Sequence, residues 1–168
     1  IINHLQVVSP DLFEKMKKYD IVGYIQPVFV ASDKDVIEKL MGKEVAARSY
    51  MWKTMADAGI LCCGGSDAPV ESFDVLSNIQ LAVTRDRIGE DTGGWHPEEK
   101  LSVDEALRLF TINNARGSFT EDKRGSLEVG KDADITILEE DIYRTDSHRI
   151  SEIKIEAAIV AGKEVYRS

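Results

Sequence analysis

The chain has 168 residues, 43% of them hydrophobic, which is enough for one cored domain or a domain with a small appendage and excludes a low-complexity or disordered chain. Its 30 acidic residues outnumber 21 basic ones, giving a net charge of −9, and the basic residues form no long run, so no nucleic-acid partner is expected. No apolar stretch approaches the roughly 20 residues that cross a bilayer and no basic-then-apolar leader opens the chain, so no membrane partner and a cytoplasmic location are expected.

Ile1 to Val8 reads as a first strand, and because it opens on strand residues without an initiator methionine the chain reads as the middle of something longer. Ser9-Pro10-Asp11 supplies an N-cap, a proline at the first helical position and an acid in the first turn, for a helix lasting to about Lys18. Ile21 to Val30 reads as a second strand carrying Gln26-Pro27 near its end. Ser32 is expected to cap a short helix with Val36, Ile37 and Leu40 inward, and a further helix runs from about Glu44 to Ala58, stopped by Gly59. Ile60 to Cys63 is the third strand. Adjacent cysteines on a strand, Cys62 and Cys63, point to opposite faces and suit neither a disulfide nor a zinc motif, so buried thiols are expected.

Strands separated by helical crossovers are the pattern of a parallel sheet, where catalytic groups gather at the carboxyl ends of strands. The third strand runs into Gly64-Gly65-Ser66-Asp67-Ala68-Pro69, which sets Asp67 on a stiffened turn at the sheet rim. Such an aspartate either delivers a carboxylate to a site or satisfies the N–H groups of its own turn, and the residues alone leave both open. His4 lies at the end of the first strand, as a ligand or a core histidine. Gln26, at the end of the second, either donates to a substrate carbonyl or ties down a loop. Ser66 reads as a turn residue, and Tyr50 and Trp52 as packing against the sheet.

Beyond Asp67 a helix is expected from about Asp74 to Thr84, then a loop rich in glycine and acid from Arg87 to Lys100. Ser102-Val103-Asp104-Glu105 is a capping box that opens a helix running to about Asn114. From Gly125 the helical period disappears, and Ala133 to Leu138, Ile155 to Val160 and Glu164 to Tyr166 read as strands, the last two joined by a hairpin turn at Gly162-Lys163. A boundary near residue 118 therefore separates an α/β part, residues 1–118, from a β part, residues 119–168. Gly125 to Asp132 nearly spells a phosphate-binding loop. Asp132, however, replaces the serine or threonine that would hold magnesium, and a strand follows where a helix N-terminus is needed.

The same stretch, Gly125-Ser126-Leu127-Glu128-Val129-Gly130-Lys131-Asp132-Ala133-Asp134, resembles the C-terminal segment of the amidohydrolase superfamily. Leu101 to Leu107 with Thr111 to Arg116 is similar to that family's last barrel helix, and Gly65 to Val70 to its eighth-strand motif. Asn3-His4-Leu5-Gln6, Gln26-Pro27 and Ser66 to Val70 together resemble the YtcJ-like branch, whose members are at times described as exoenzyme regulatory proteins of the AepA type.

This resemblance implies an α/β fold comprising the last three βα units of a metal-dependent (β/α)8 barrel followed by part of a flanking β-sandwich. It implies that His4 and Asp67 ligate a divalent metal, zinc foremost, and that Asp67 also takes the proton from the attacking water. Asn3 departs from the glutamate usual at that place. The activity implied is metal-dependent hydrolysis of a C–N bond in a small-molecule substrate, with Gln26 as a candidate substrate contact. The remaining ligands would precede residue 1, so the chain alone is expected to be inert and to self-associate or pair with the missing N-terminal half. A non-catalytic regulatory or binding module that keeps the fold is the alternative the resemblance carries.

Overall fold

The computed structural model describes all 168 residues. Three short strands, β1 (Ile2–Asn3), β2 (Gly23–Ile25) and β3 (Cys62–Gly64), form a parallel sheet in that order. Asn3 stands beside Tyr24 and Tyr24 beside Cys63, so the next row toward the carboxyl end holds His4, Ile25 and Gly64. Helices connect them. A 3-10 turn (Pro10–Leu12) and α1 (Phe13–Lys18) follow β1, although Ser9 makes no cap bond and turns its hydroxyl to Asp11 instead. Four short helices follow β2: α2 (Phe29–Asp33), α3 (Ile37–Met41), α4 (Lys43–Ala46) and α5 (Trp52–Asp57).

The second strand is shorter than the sequence suggests. Pro27 offers no N–H to a ladder, and the apolar run Val28-Phe29-Val30 turns into α2, with Phe29 N–H donating to the Gln26 carbonyl at 3.2 Å. Ser32 consequently lies inside α2, where its hydroxyl donates back to the Phe29 carbonyl and caps nothing. The helix expected over residues 44–58 is broken at Ser49 and Tyr50. Tyr50 takes a φ of +56° and donates its N–H to the Gln6 carbonyl at 2.7 Å, while Ser49 bridges Val7. Tertiary hydrogen bonds to the segment leaving β1 here outweigh helix propensity.

After β3 the chain follows the expected pattern. Asp74 accepts the Leu76 N–H at 3.1 Å and opens α6 (Val75–Thr84). Ser102 and Glu105 form the full capping box of α7 (Val103–Phe110), and α8 (Ile112–Gly117) follows after a one-residue break at Thr111. The Phe110 ring lies under Gly64, where a Cβ would come within 2.8 Å of it, so a side chain at Gly64 would displace the end of β3 or the ring.

The β part is a three-stranded antiparallel sheet of β4 (Ile135–Leu138), β5 (Ile155–Val160) and β6 (Lys163–Arg167). Its hairpin turns at Ala161 and Gly162, both at positive φ, one residue earlier than Gly162-Lys163. Every residue of β6 is exposed, and across the sheet Ala157 alone is buried, so little of either face is covered. The segment joining β4 to β5 behaves differently. Ile142, Ile150 and Ile153 belong to the same apolar cluster as Ile25, Trp52, Met55 and Ile79, and a 3-10 helix (Ser147–Glu152) packs on α6. Two hydrogen bonds seal that contact: the buried Gln80 amide donates to the His148 carbonyl at 2.9 Å and accepts the Ser151 N–H at 2.8 Å.

Gly125 to Lys131 is a turn and no phosphate cradle. Lys131 donates to the Ser126 hydroxyl at 2.6 Å and pairs with Glu128 at 3.2 Å, and Gly125 is pressed so close to α8 that a Cβ would sit 2.6 Å from that of Ala115. No helix is long and apolar enough to cross a membrane.

Candidate functional site

The parallel sheet brings the three residues singled out in the sequence to one edge. His4 is the first residue after β1, Gln26 the first after β2 and Asp67 the third after β3, all at carboxyl ends. With neighbouring strands about 4.8 Å apart, the first and third strand ends lie about 10 Å apart across Gln26. Both His4, at a φ of +73°, and Asp67, at +58°, sit in the left-handed region that non-glycine residues seldom occupy. Asp20 and Ala161 share that conformation in ordinary turns, so strain alone does not mark the site.

Asp67 differs from the capping aspartates in leaving its carboxylate unengaged, a state it shares with Asp20. Asp74 and Asp146 each accept a backbone N–H two residues on, at 3.1 and 2.9 Å. At Asp67 only the backbone carbonyl is engaged, accepting the Val70 N–H at 2.8 Å, and the exposed carboxylate has neither a hydrogen bond nor an ion pair. His4 is also exposed, and its Nδ1 lies 3.1 Å from the Gln26 Oε1 while Nε2 makes no protein hydrogen bond. An imidazole nitrogen and a carboxylate, here both free of protein partners, are donor types that suit zinc or a similar divalent ion. Catalytic zinc normally takes three protein ligands, so these two fit part of such a site.

Gln26 is buried and directed at His4, a partner invisible in the sequence. Two residues after His4, Gln6 donates to the Tyr50 hydroxyl at 3.0 Å, and that hydroxyl donates to Asp33. Burial first, and the Asp33 carboxylate second, push the Tyr50 phenol far above its usual range, so it acts as a fixed donor. Tyr50 thus does more than pack on the sheet, and the Gln6 of the Asn3-His4-Leu5-Gln6 stretch was the one sequence signal for it. Behind this network Arg85 is fully buried between the Trp52 and Trp95 rings, at 4.8 and 5.3 Å, and donates to the Tyr50 carbonyl at 3.1 Å. Burial pulls its guanidinium down to about 10, and Glu99 opposes the shift.

The other two histidines stay apart from this edge. His96 packs on the Trp95 ring and pairs with Glu98 at 3.3 Å. His148, on the 3-10 helix of the β part, brings Nε2 within 3.7 Å of Asp86 and 3.6 Å of Asp91, and the three side chains could offer ligand atoms to a cation. The fully buried Asp86 is already engaged: its carboxylate accepts the Thr92 N–H at 3.1 Å and the Thr92 hydroxyl, and Lys34 lies at 3.9 Å. Burial alone would raise this carboxyl, but Thr92, Lys34 and His148 outweigh it and hold it below the usual range. The cluster brings the loop after α6 against the 3-10 helix of the β part.

The model of the family described as "Amidohydrolase family" matches residues 1–166. The Bacillus subtilis protein YtcJ is 37% identical over 164 residues, which cover 97% of this chain and 31% of that protein. The N-substituted formamide deformylase of Arthrobacter pascens is 30% identical over 110 residues, covering 66% of this chain and 20% of the enzyme. The crystal structure of a metal-dependent hydrolase from Pyrococcus horikoshii superposes with a TM-score of 0.75 at 26% identity, over 87% of this chain and 30% of that one. The chain spans about a third or less of the length of the curated relatives it matches.

Proposed function

Because the chain belongs to the amidohydrolase family, we propose that it supplies the base and two metal ligands of a hydrolase that cleaves C–N bonds in small molecules. The observation that carries this reading is the pair of partner-free groups at the carboxyl rim, the Asp67 carboxylate and the His4 Nε2. The three parallel strands would be the last three βα units of a (β/α)8 barrel, and β4 to β6 part of a flanking sandwich whose facing layer lies in other residues. The weakly covered faces of β4 to β6 and the unpaired outer edges of β1 and β3 support that arrangement. Pairing with preceding barrel strands would complete both the sheet and the ligand set.

His4 and Asp67 would hold the divalent ion, most simply zinc, which when bound polarises the scissile carbonyl and lowers the pKa of water. The carboxylate of Asp67 takes the proton of the attacking water and returns it to the leaving nitrogen. The Arthrobacter pascens relative, a deformylase of N-substituted formamides, makes an amide of that kind the first substrate to test. A cytoplasmic location belongs to the same proposal and is supported by two free, buried thiols.

The test is hydrolysis of N-substituted formamides and cyclic amides by the 168-residue chain alone and by the longer protein that contains it, each with added zinc. Turnover is expected only from the longer protein, falling about 100- to 10,000-fold in Asp67→Asn. Hydrolysis by the isolated chain, or an unimpaired Asp67→Asn, would overturn the reading. Metal occupancy without turnover on any amide would favour a non-catalytic module.

A further inference from the structure

A neutral imidazole can ligate a metal only through the nitrogen that carries no proton, and the hydrogen bond made by the other nitrogen decides which that is. At His4 that second bond is present within the chain. Nδ1 meets the Gln26 Oε1 at 3.1 Å, and since a side-chain carbonyl oxygen only accepts, this contact is a hydrogen bond when Nδ1 carries the hydrogen and Nε2 the lone pair.

The surroundings hold this arrangement in place. Gln26 is buried, at 7% exposure, where β2 ends against Pro27, and its carbonyl accepts the Phe29 N–H at 3.2 Å, which anchors the backbone from which the amide projects. The His4 ring meets the Phe29 ring at a centroid distance of 6.1 Å and is thus flanked by the first residue of α2. The Gln26 amide nitrogen makes no hydrogen bond within the chain and is not sealed from solvent, so His4 is the one protein partner of this side chain.

We propose that Gln26 is a positioning residue whose side-chain oxygen fixes His4 as the Nδ1–H tautomer and presents the Nε2 lone pair at the carboxyl rim of the sheet. It acts through His4 and touches no reacting atom. The metal-ligand role of His4 rests on the reading given above, but the tautomer itself does not.

The experiment is long-range 1H–15N correlation spectroscopy of the 15N-histidine-labelled chain without metal, at a pH where His4 is neutral. The chain has three histidines, and His4→Ala assigns the signal. The wild type is expected to show protonated Nδ1 and bare Nε2 at His4. Gln26→Leu, which removes the acceptor, should shift the population toward Nε2–H, and Gln26→Glu, which keeps a carboxylate oxygen in its place, should retain the Nδ1–H form. Backbone amide spectra establish that each variant is folded, and the wild-type tautomer is decisive even where a variant is not. Nε2–H in the wild type, or an unchanged tautomer in a folded Gln26→Leu, would overturn the proposal. In the longer protein, Gln26→Leu should weaken cobalt(II) binding about 10- to 100-fold, with Gln26→Glu restoring it. A wild-type His4 that is Nδ1–H but unaffected by cobalt(II) in the longer protein would remove the metal reading and leave the tautomer assignment standing.

Discussion

The docking of the β part onto α6 hinges on Gln80, and Gln80→Met measures it. Methionine keeps nearly the same length and volume, so the substitution opens little cavity and acts through hydrogen bonding. Gln80 is fully buried, and both of its side-chain bonds reach backbone groups across the contact, the His148 carbonyl and the Ser151 N–H. Removing them takes the partner from two backbone groups on half-buried residues, toward the low end of about 1–3 kcal/mol each, so the loss is about 3 kcal/mol. For a chain of this size that lowers Tm by about 8 °C. Hydrogen exchange makes the test local: the Ser151 amide should lose protection in Gln80→Met, whereas amides of β4 to β6 should change little if the sheet persists when the segment lifts. An unchanged Tm together with an unchanged Ser151 exchange rate would refute the claim that these two bonds hold the contact.

Two further outcomes follow from the buried groups. Asp86→Asn should destabilise the chain by about 2 kcal/mol near pH 7, since the Thr92 N–H and hydroxyl lose a charged acceptor, while Lys34 keeps its pairing with Glu90. Because the Asp86 carboxyl is held below its usual range in the folded chain, its stabilisation is present above the ordinary carboxylate pKa and disappears as pH falls through the depressed value. Denaturation at pH 7 and near pH 3 checks this: the gap between wild type and variant should narrow on acidification, and a constant gap would count against it. Cys62, pushed up to about 12 by burial, and Cys63, also raised by burial, should resist a thiol reagent in the native chain and react in denaturant. Rapid native labelling would contradict their placement.

The parts of the fold fixed by local chemistry were legible in the sequence. The Ser102–Glu105 capping box, the helix start near Asp74 and the carboxyl-end positions of His4 and Asp67 depend on residues within a few places of each other, and all are present. Long-range bonds decided the rest. Val28-Phe29-Val30 has an apolar content that fits strand or helix, and only the arrest of the ladder at Pro27 turns it into α2. The break between α4 and α5 depends on Gln6, more than forty residues away, and the docking of His148 and Ser151 on α6 depends on Gln80, about seventy residues away. For the same reason Gln26 was visible as a polar residue at a strand end, while the histidine it serves was not.

Metal binding by the longer protein that contains this chain tests the central claim most directly, with cobalt(II) titrated into wild type, His4→Ala and Asp67→Asn and followed by its visible absorption. The account predicts that His4→Ala binds at least about 10-fold more weakly and that Asp67→Asn alters both affinity and spectrum. Wild-type affinity and an unchanged cobalt spectrum in both variants would contradict it.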